Sequence, residues 1–175
     1  MPEFPIDTPL PVRQREALPL PALQAWLRAE VPGIGEVQNV LQFPGGYSNL
    51  TYCLQTAAQD YILRRPPAGA SIKGGHDMSR EFQVLTLLQP HYNNIPTPVA
   101  YCADESIIGA PFYIMQRIKG VILRTTNAPK LQLSPAWLHQ LSEALVDNLV
   151  VLHQLDIEKT ELIQLGKPEG YVARQ

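Results

Sequence analysis

The sequence predicts an α+β fold: a five-stranded antiparallel sheet with one inserted helix, followed by a linker and a long helix of an incomplete helical lobe. Three observations predict it. Between residues 36 and 65, short runs rich in β-branched and aromatic residues are joined by short turns, as in an antiparallel meander. A single helical pattern at 78–90 interrupts the strand series. The most regular apolar helix of the chain opens only after residue 134, too late to complete a second lobe by itself.

Residues 1–19 carry Pro2, Pro5, Pro9, Pro11 and Pro19, which oppose helix and remove ladder donors, so an extended, poorly ordered lead-in is expected. Leu20, Leu23, Trp26 and Leu27 recur at helical spacing; Pro21 suits a first turn and Gly33 a stop, giving a helix over 20–31. Strands follow at 36–43, 49–56 and 61–65, separated by Pro44-Gly45-Gly46 and by Ala58-Gln59-Asp60. Residues 66–76 are a Pro- and Gly-rich loop. Asp77 or Ser79 can cap the helix over 78–90, whose Met78, Phe82, Leu85 and Leu88 repeat every three to four residues. Strands at 99–103 and 111–116 flank a turn at 104–109. Residues 124–133 connect to a helix over 134–155, with Ser134 as cap, Pro135 in the first turn and an apolar stripe of Leu138, Leu141, Leu145, Leu149 and Leu152. The division is therefore 1–19 lead-in, 20–120 first lobe, and 121–175 linker and start of a helical lobe.

Hydrophobic residues make up 45% of the 175 and charged residues 17%, a globular composition with room for one core. A net charge of −2 and a pI near 6.1 argue against a nucleic-acid surface. No apolar run reaches the ~18 residues of a membrane span, and the start lacks the apolar segment of an export signal. A cytoplasmic protein is expected, with Cys53 and Cys102 as buried free thiols.

Four features could serve phosphoryl transfer, which depends on positioning the nucleotide and surrounding its phosphates with cations. Gly45 and Gly46 let backbone approach a ligand closely, and Ser48 and Asn49 add side-chain donors; the same stretch also reads as an ordinary hairpin turn. On the third strand, alternation sets Ile62 and Arg64 on one face and Tyr61, Leu63 and Arg65 on the other; either arginine is a candidate phosphate cation or a solvated edge charge. Glu81 borders the apolar stripe of its helix, where it can hold a strand arginine or simply complement the helix dipole. Finally, the strand ending at Gln116 runs through Ile118 to Gly120, an extended exit with backbone groups for a base edge, or merely a strand end.

Taken in order, glycine turn, strand cation, helix glutamate and apolar strand with polar exit form the layout of a kinase amino-terminal lobe. The stretches FPGGYSNLTYCL, YILRRPPAG, MSREFQVLTLL, IPTPVAYCADESIIGAPFYIMQRIKG and LVVLHQLD resemble the aminoglycoside phosphotransferase and choline-kinase-like family, in the branch related to the kinase-like domain found beside acyl-CoA dehydrogenases. The resemblance covers about residues 20–175. It implies ATP and Mg²⁺, with Gly45, Gly46, Ser48 and Asn49 over the triphosphate and Arg64 where many relatives carry a lysine. It further implies Glu81 as partner of Arg64, and the backbone of Gln116 and Ile118 against adenine.

The family's chemistry uses a loop with His, Asp and a following Asn, then a metal-binding Asp. His153-Gln154-Leu155-Asp156 has two residues between His and Asp instead of one, and Glu161 stands where Asn is needed; His153 reads as a structural helix-end residue. No histidine or cysteine spacing suggests a metal site. The expectation is a phosphotransferase-family chain that stops before its catalytic loop and is inactive alone, its phosphate acceptor unspecified. The alternative is a non-catalytic kinase-like interaction module. Under either, the leucine stripe of 134–155 is expected to self-associate or to meet a partner.

Overall fold

The computed structural model describes residues 7–44, 48–70, 76–125, 128–166 and 170. The lead-in contributes a strand that the sequence did not announce: β1 (Leu10–Pro11) pairs antiparallel with the strand that follows the first helix, Leu10 opposite Gln42. The five expected strands thus become six. Proline density hides such a strand, yet Pro is tolerated at a sheet edge. Beyond β1 a 3₁₀ turn (Gln14–Glu16) packs on the sheet, its Glu16 carbonyl accepting the Tyr52 hydroxyl at 2.8 Å. The expected poorly ordered lead-in is, over residues 7–19, bound to the body of the fold.

Helix α1 (Leu20–Glu30) starts with Pro21 in its first turn and buries Leu23 and Leu27 completely. Burial of two leucines stabilises by about 1.5–3 kcal/mol each. Gln24 fastens the helix to the sheet: its carbonyl accepts from Val37 N–H at 2.7 Å and its amide donates to the Gly35 carbonyl at 3.3 Å. The meander is β2 (Val37–Gln42), β3 (Leu50–Thr56) and β4 (Asp60–Arg65). Helix α2 (Met78–Leu88) is capped by Asp77, whose carboxylate accepts from Arg80 N–H at 2.9 Å. β5 (Pro98–Cys102) leads to a short helix α3 (Glu105–Ile108) in place of the expected turn, opened by the Asp104 cap and closed by Gly109 at φ +82°. β6 (Phe112–Gln116) then enters between β4 and β5, giving the order β1-β2-β3-β4-β6-β5, antiparallel throughout.

Strand alternation divides the sheet into two faces. Tyr52, Leu54, Tyr61, Leu63, Phe112 and Ile114 point into the core with Leu23, Leu27 and Ile108. Trp26 of α1 meets the Phe112 ring edge-on at 4.9 Å. The opposite face carries Ile62 beside Met115 and Arg64 beside Tyr113, as the register requires. Helix α2 lies on this second face, its Phe82 ring 6.0 Å from Tyr101 and 6.1 Å from Tyr113.

Helix α4 (Pro135–His153) begins as expected, with Ser134 Oγ accepting from Trp137 N–H at 3.2 Å. None of its residues is buried; Leu145 is 62% exposed and Leu149 44%. Its tie to the sheet lobe is polar: Asn148 accepts from Tyr92 Oη at 2.7 Å and from Asn94 at 2.6 Å. A terminal 3₁₀ turn (Glu161–Leu165) returns to α2, where Arg80 donates to the Leu165 carbonyl at 2.9 Å. Among the described residues, no helix is long and apolar enough to cross a membrane. Cys53 and Cys102 are both free and buried.

Candidate functional site

The second face of the sheet opens into two adjoining hollows of about 410 Å³ and 450 Å³ that share Pro96 and Met115. The first has a sheet roof of Phe43, Thr51 and Ile62 and a wall made by Gln116, Arg117 and Ile118. The second is lined by Arg64, Arg80, Glu81 and Tyr113. Together they form one cleft with charged side chains at both ends, Asp7, Arg117 and Arg124 at the linker end and Arg64, Arg80 and Glu81 at the α2 end.

At the α2 end, Arg64 Nη1 lies 3.3 Å from Glu81 Oε2. Both side chains are about one-third exposed, so the pair itself adds only about 1 kcal/mol or less. Two donors hold Glu81 in place, and His76 holds one of them. Tyr113 Oη donates to Glu81 Oε2 at 2.9 Å, and Asn49 Nδ2 donates to Glu81 Oε1 at 2.9 Å. His76 Nδ1 in turn sits 2.9 Å from Asn49 Oδ1. Burial pushes the Tyr113 phenol well above its ordinary pKa, with the Glu81 charge adding to the effect against the opposing pull of Arg64. Tyr113 therefore stays a hydrogen-bond donor at every physiological pH. The Nε of Arg64 is buried and has no hydrogen-bond partner among the described residues.

Arg65, the other candidate cation, points into the opposite face. It is 7% exposed and gives its hydrogen bonds to the Ile108 and Pro66 carbonyls at 2.6 and 3.1 Å. Asn49 is buried, with its amide engaged by Glu81 and His76; Ser48 is exposed. Gly45 and Gly46 lie outside the described residues. At the linker end, Gln116 N–H donates to the Thr97 carbonyl at 2.9 Å, extending the sheet. Ile118, 62% exposed, makes no backbone hydrogen bond to another described residue. Ile118, like Gln116, lines the first hollow.

A model of the phosphotransferase enzyme family matches residues 39–175. The chain belongs to that family. This family member is 37% identical to acyl-CoA dehydrogenase family member 11 of Rattus norvegicus over 158 residues, covering 88% of this chain and 20% of that protein. The Homo sapiens protein of the same name is 35% identical over 158 residues, with the same coverage. A crystal structure of a "putative aminoglycoside phosphotransferase" from Ralstonia eutropha superposes with a TM-score of 0.74 at 31% identity, covering 90% of this chain and 45% of the other. The kinase-like α+β fold follows from that likeness. The chain spans 20% of the length of its rat and human relatives, so the dehydrogenase in their names does not transfer to it.

Several residues that shape this phosphotransferase-family cleft were not singled out by sequence reasoning. Tyr113 and Met115 share a face with Arg64 and Ile62, which strand alternation in β6 could have shown. Arg117 links the linker to β4 through Asp60 at 2.7 Å and lies over the Phe43 ring at 5.4 Å. His76 and Asp7 reach their partners across long stretches of chain, with no local signal. Among the described residues, no group of three His, Cys, Asp or Glu side chains could hold a metal ion. Asp156 serves a turn: bonds from the Lys159 ammonium, then from backbone N–H groups, hold its carboxyl below the ordinary range.

Proposed function

We propose that this chain supplies the nucleotide-binding lobe of an ATP-dependent phosphotransferase acting on a small hydroxylated acceptor. The observation that carries this reading is that two hollows adjoin at Pro96 and Met115, one lined by Ile118 and the other by the Arg64–Glu81 pair. An adenine ring would lie under Phe43 and Ile62 and against Met115, its edge meeting the Ile118 main chain. The phosphates would then extend toward Arg64. Glu81, fixed by Tyr113 and Asn49, would aim the guanidinium. Arg in this position keeps its charge at all pH values and offers several donors to phosphate oxygens. Mg²⁺ would come with the nucleotide, since the described residues offer no cage for it.

Thermal unfolding with and without ATP and Mg²⁺ tests the reading. A ligand-dependent rise in Tm in the wild type, lost in Arg64→Ala, supports it. The absence of any shift at millimolar ATP argues against it.

One observation favours a second reading, a non-catalytic interaction module. Helix α4 leaves Leu138, Leu145, Val146 and Leu149 exposed along its length. In this reading a second copy of the chain covers that face. Concentration-dependent dimerisation, abolished by Leu145→Lys, would support self-association; a monomer at all concentrations would exclude it.

A further inference from the structure

The lead-in crosses the linker wall of the cleft and grips it at one residue. Asp7 N–H donates to the Gly120 carbonyl at 2.9 Å, and the Asp7 carbonyl accepts from Arg117 Nη2 at 3.0 Å. The Asp7 carboxylate takes Arg124 Nη1 at 2.9 Å and Nη2 at 3.3 Å. Two parallel bonds between a carboxylate and a guanidinium fix the orientation of both groups. Arg117, Gly120 and Arg124 all line the same hollow as Ile118, and so does Asp7 itself.

The linker needs such a hold. Residues 117–124 belong to no helix or strand; at their start Arg117 N–H bonds the Asp60 carbonyl at 3.3 Å. A segment without a ladder takes its shape from its tertiary contacts and opens readily when these are lost. Asp7 can act as the hold because β1, three residues on, is itself anchored to β2.

We propose that Asp7 is a positioning residue of the nucleotide cleft, holding residues 117–124 in the shape that presents Ile118 to a base. This rests on the nucleotide reading above and extends it to the lead-in. A bound base would in turn tighten the Asp7–Arg124 contact, because each stabilises the same linker conformation.

Asp7→Ala removes the carboxylate and leaves both backbone bonds of residue 7 in place. Two measurements on the full chain test the proposal: ADP affinity by calorimetry, and amide hydrogen exchange in the ligand-free protein. The variant should bind ADP about fivefold more weakly, the scale of one partly exposed ion pair. Exchange should quicken at 117–124 and stay unchanged in β3 and β4. The reversed pair Asp7→Arg with Arg124→Asp should recover part of both losses. Unchanged ADP affinity with unchanged linker exchange overturns the proposal. Faster exchange across the whole sheet overturns it too, by showing a general stabilising role. If the wild type binds no ADP, the nucleotide reading fails and the binding role of Asp7 with it; quicker linker exchange in Asp7→Ala would then still establish the clamp.

Discussion

Arg64 of β4 and Glu81 of α2 meet at 3.3 Å over the α2 end of the cleft, and both Glu81 oxygens are held by donors from other strands or turns. The register that places Arg64 opposite Tyr113 brings these three side chains together. A cation held this way loses little freedom on meeting an anion, which is the physical sense of preorganisation.

Arg64→Ala should therefore weaken ADP binding by about tenfold to a hundredfold, the range for one charge-assisted hydrogen bond. Stability should change by no more than about 1 kcal/mol, because the pair is partly exposed. Calorimetry and urea unfolding on the same variant separate the two effects.

Tyr113→Phe removes one donor from Glu81 and leaves the Phe82 contact in place. The expected cost is about 1 kcal/mol of stability. A much larger loss would mean that the hydroxyl holds more than this one bond to Glu81.

Leu27 is completely buried between α1 and the sheet. Leu27→Ala should cost about 2–5 kcal/mol, a transfer term plus a cavity. Denaturant unfolding gives the value directly.

Tyr52 is fully buried, and loss of solvation there pushes its phenol from 10.0 up to about 12. Below pH 10 both folded and unfolded forms keep the proton, so the contribution of the neutral phenol is fully present. As pH rises from about 10 toward 12, the unfolded phenol ionises first and stability falls. Urea midpoints should decline across that window, and Tyr52→Phe should flatten the decline.

Burial likewise raises the Cys53 and Cys102 thiols, and Arg117 opposes the effect at Cys53 with a contact to its Sγ at 3.6 Å. Native protein should leave both thiols unreacted with a thiol reagent at pH 8, and both should react in urea. Rapid native labelling of either would contradict the burial described here.

The strands of the meander, the inserted helix and the Asp77 and Ser134 caps were legible because each has a local signal: alternation, three-to-four spacing, or a capping side chain. β1 was not, since its prolines argue against a strand and only its partner Gln42 reveals it. The site was legible in the same measure. Alternation put Arg64 and Arg65 on opposite faces, but nothing local says which face α1 will cover; Arg65 in fact bonds the Ile108 carbonyl inside. Asp7 and Arg124 are far apart in the chain, and no pattern in either segment foretells their meeting.

The central claim is that one cleft takes a nucleotide along its whole length, and an amide NMR titration with adenosine and then ADP tests it most directly. Adenosine should shift the amides of Met115, Arg117 and Ile118 alone, and ADP should extend the shifts to Arg64, Glu81 and Tyr113. Shifts confined to other parts of the fold, or none at millimolar ADP, would contradict it.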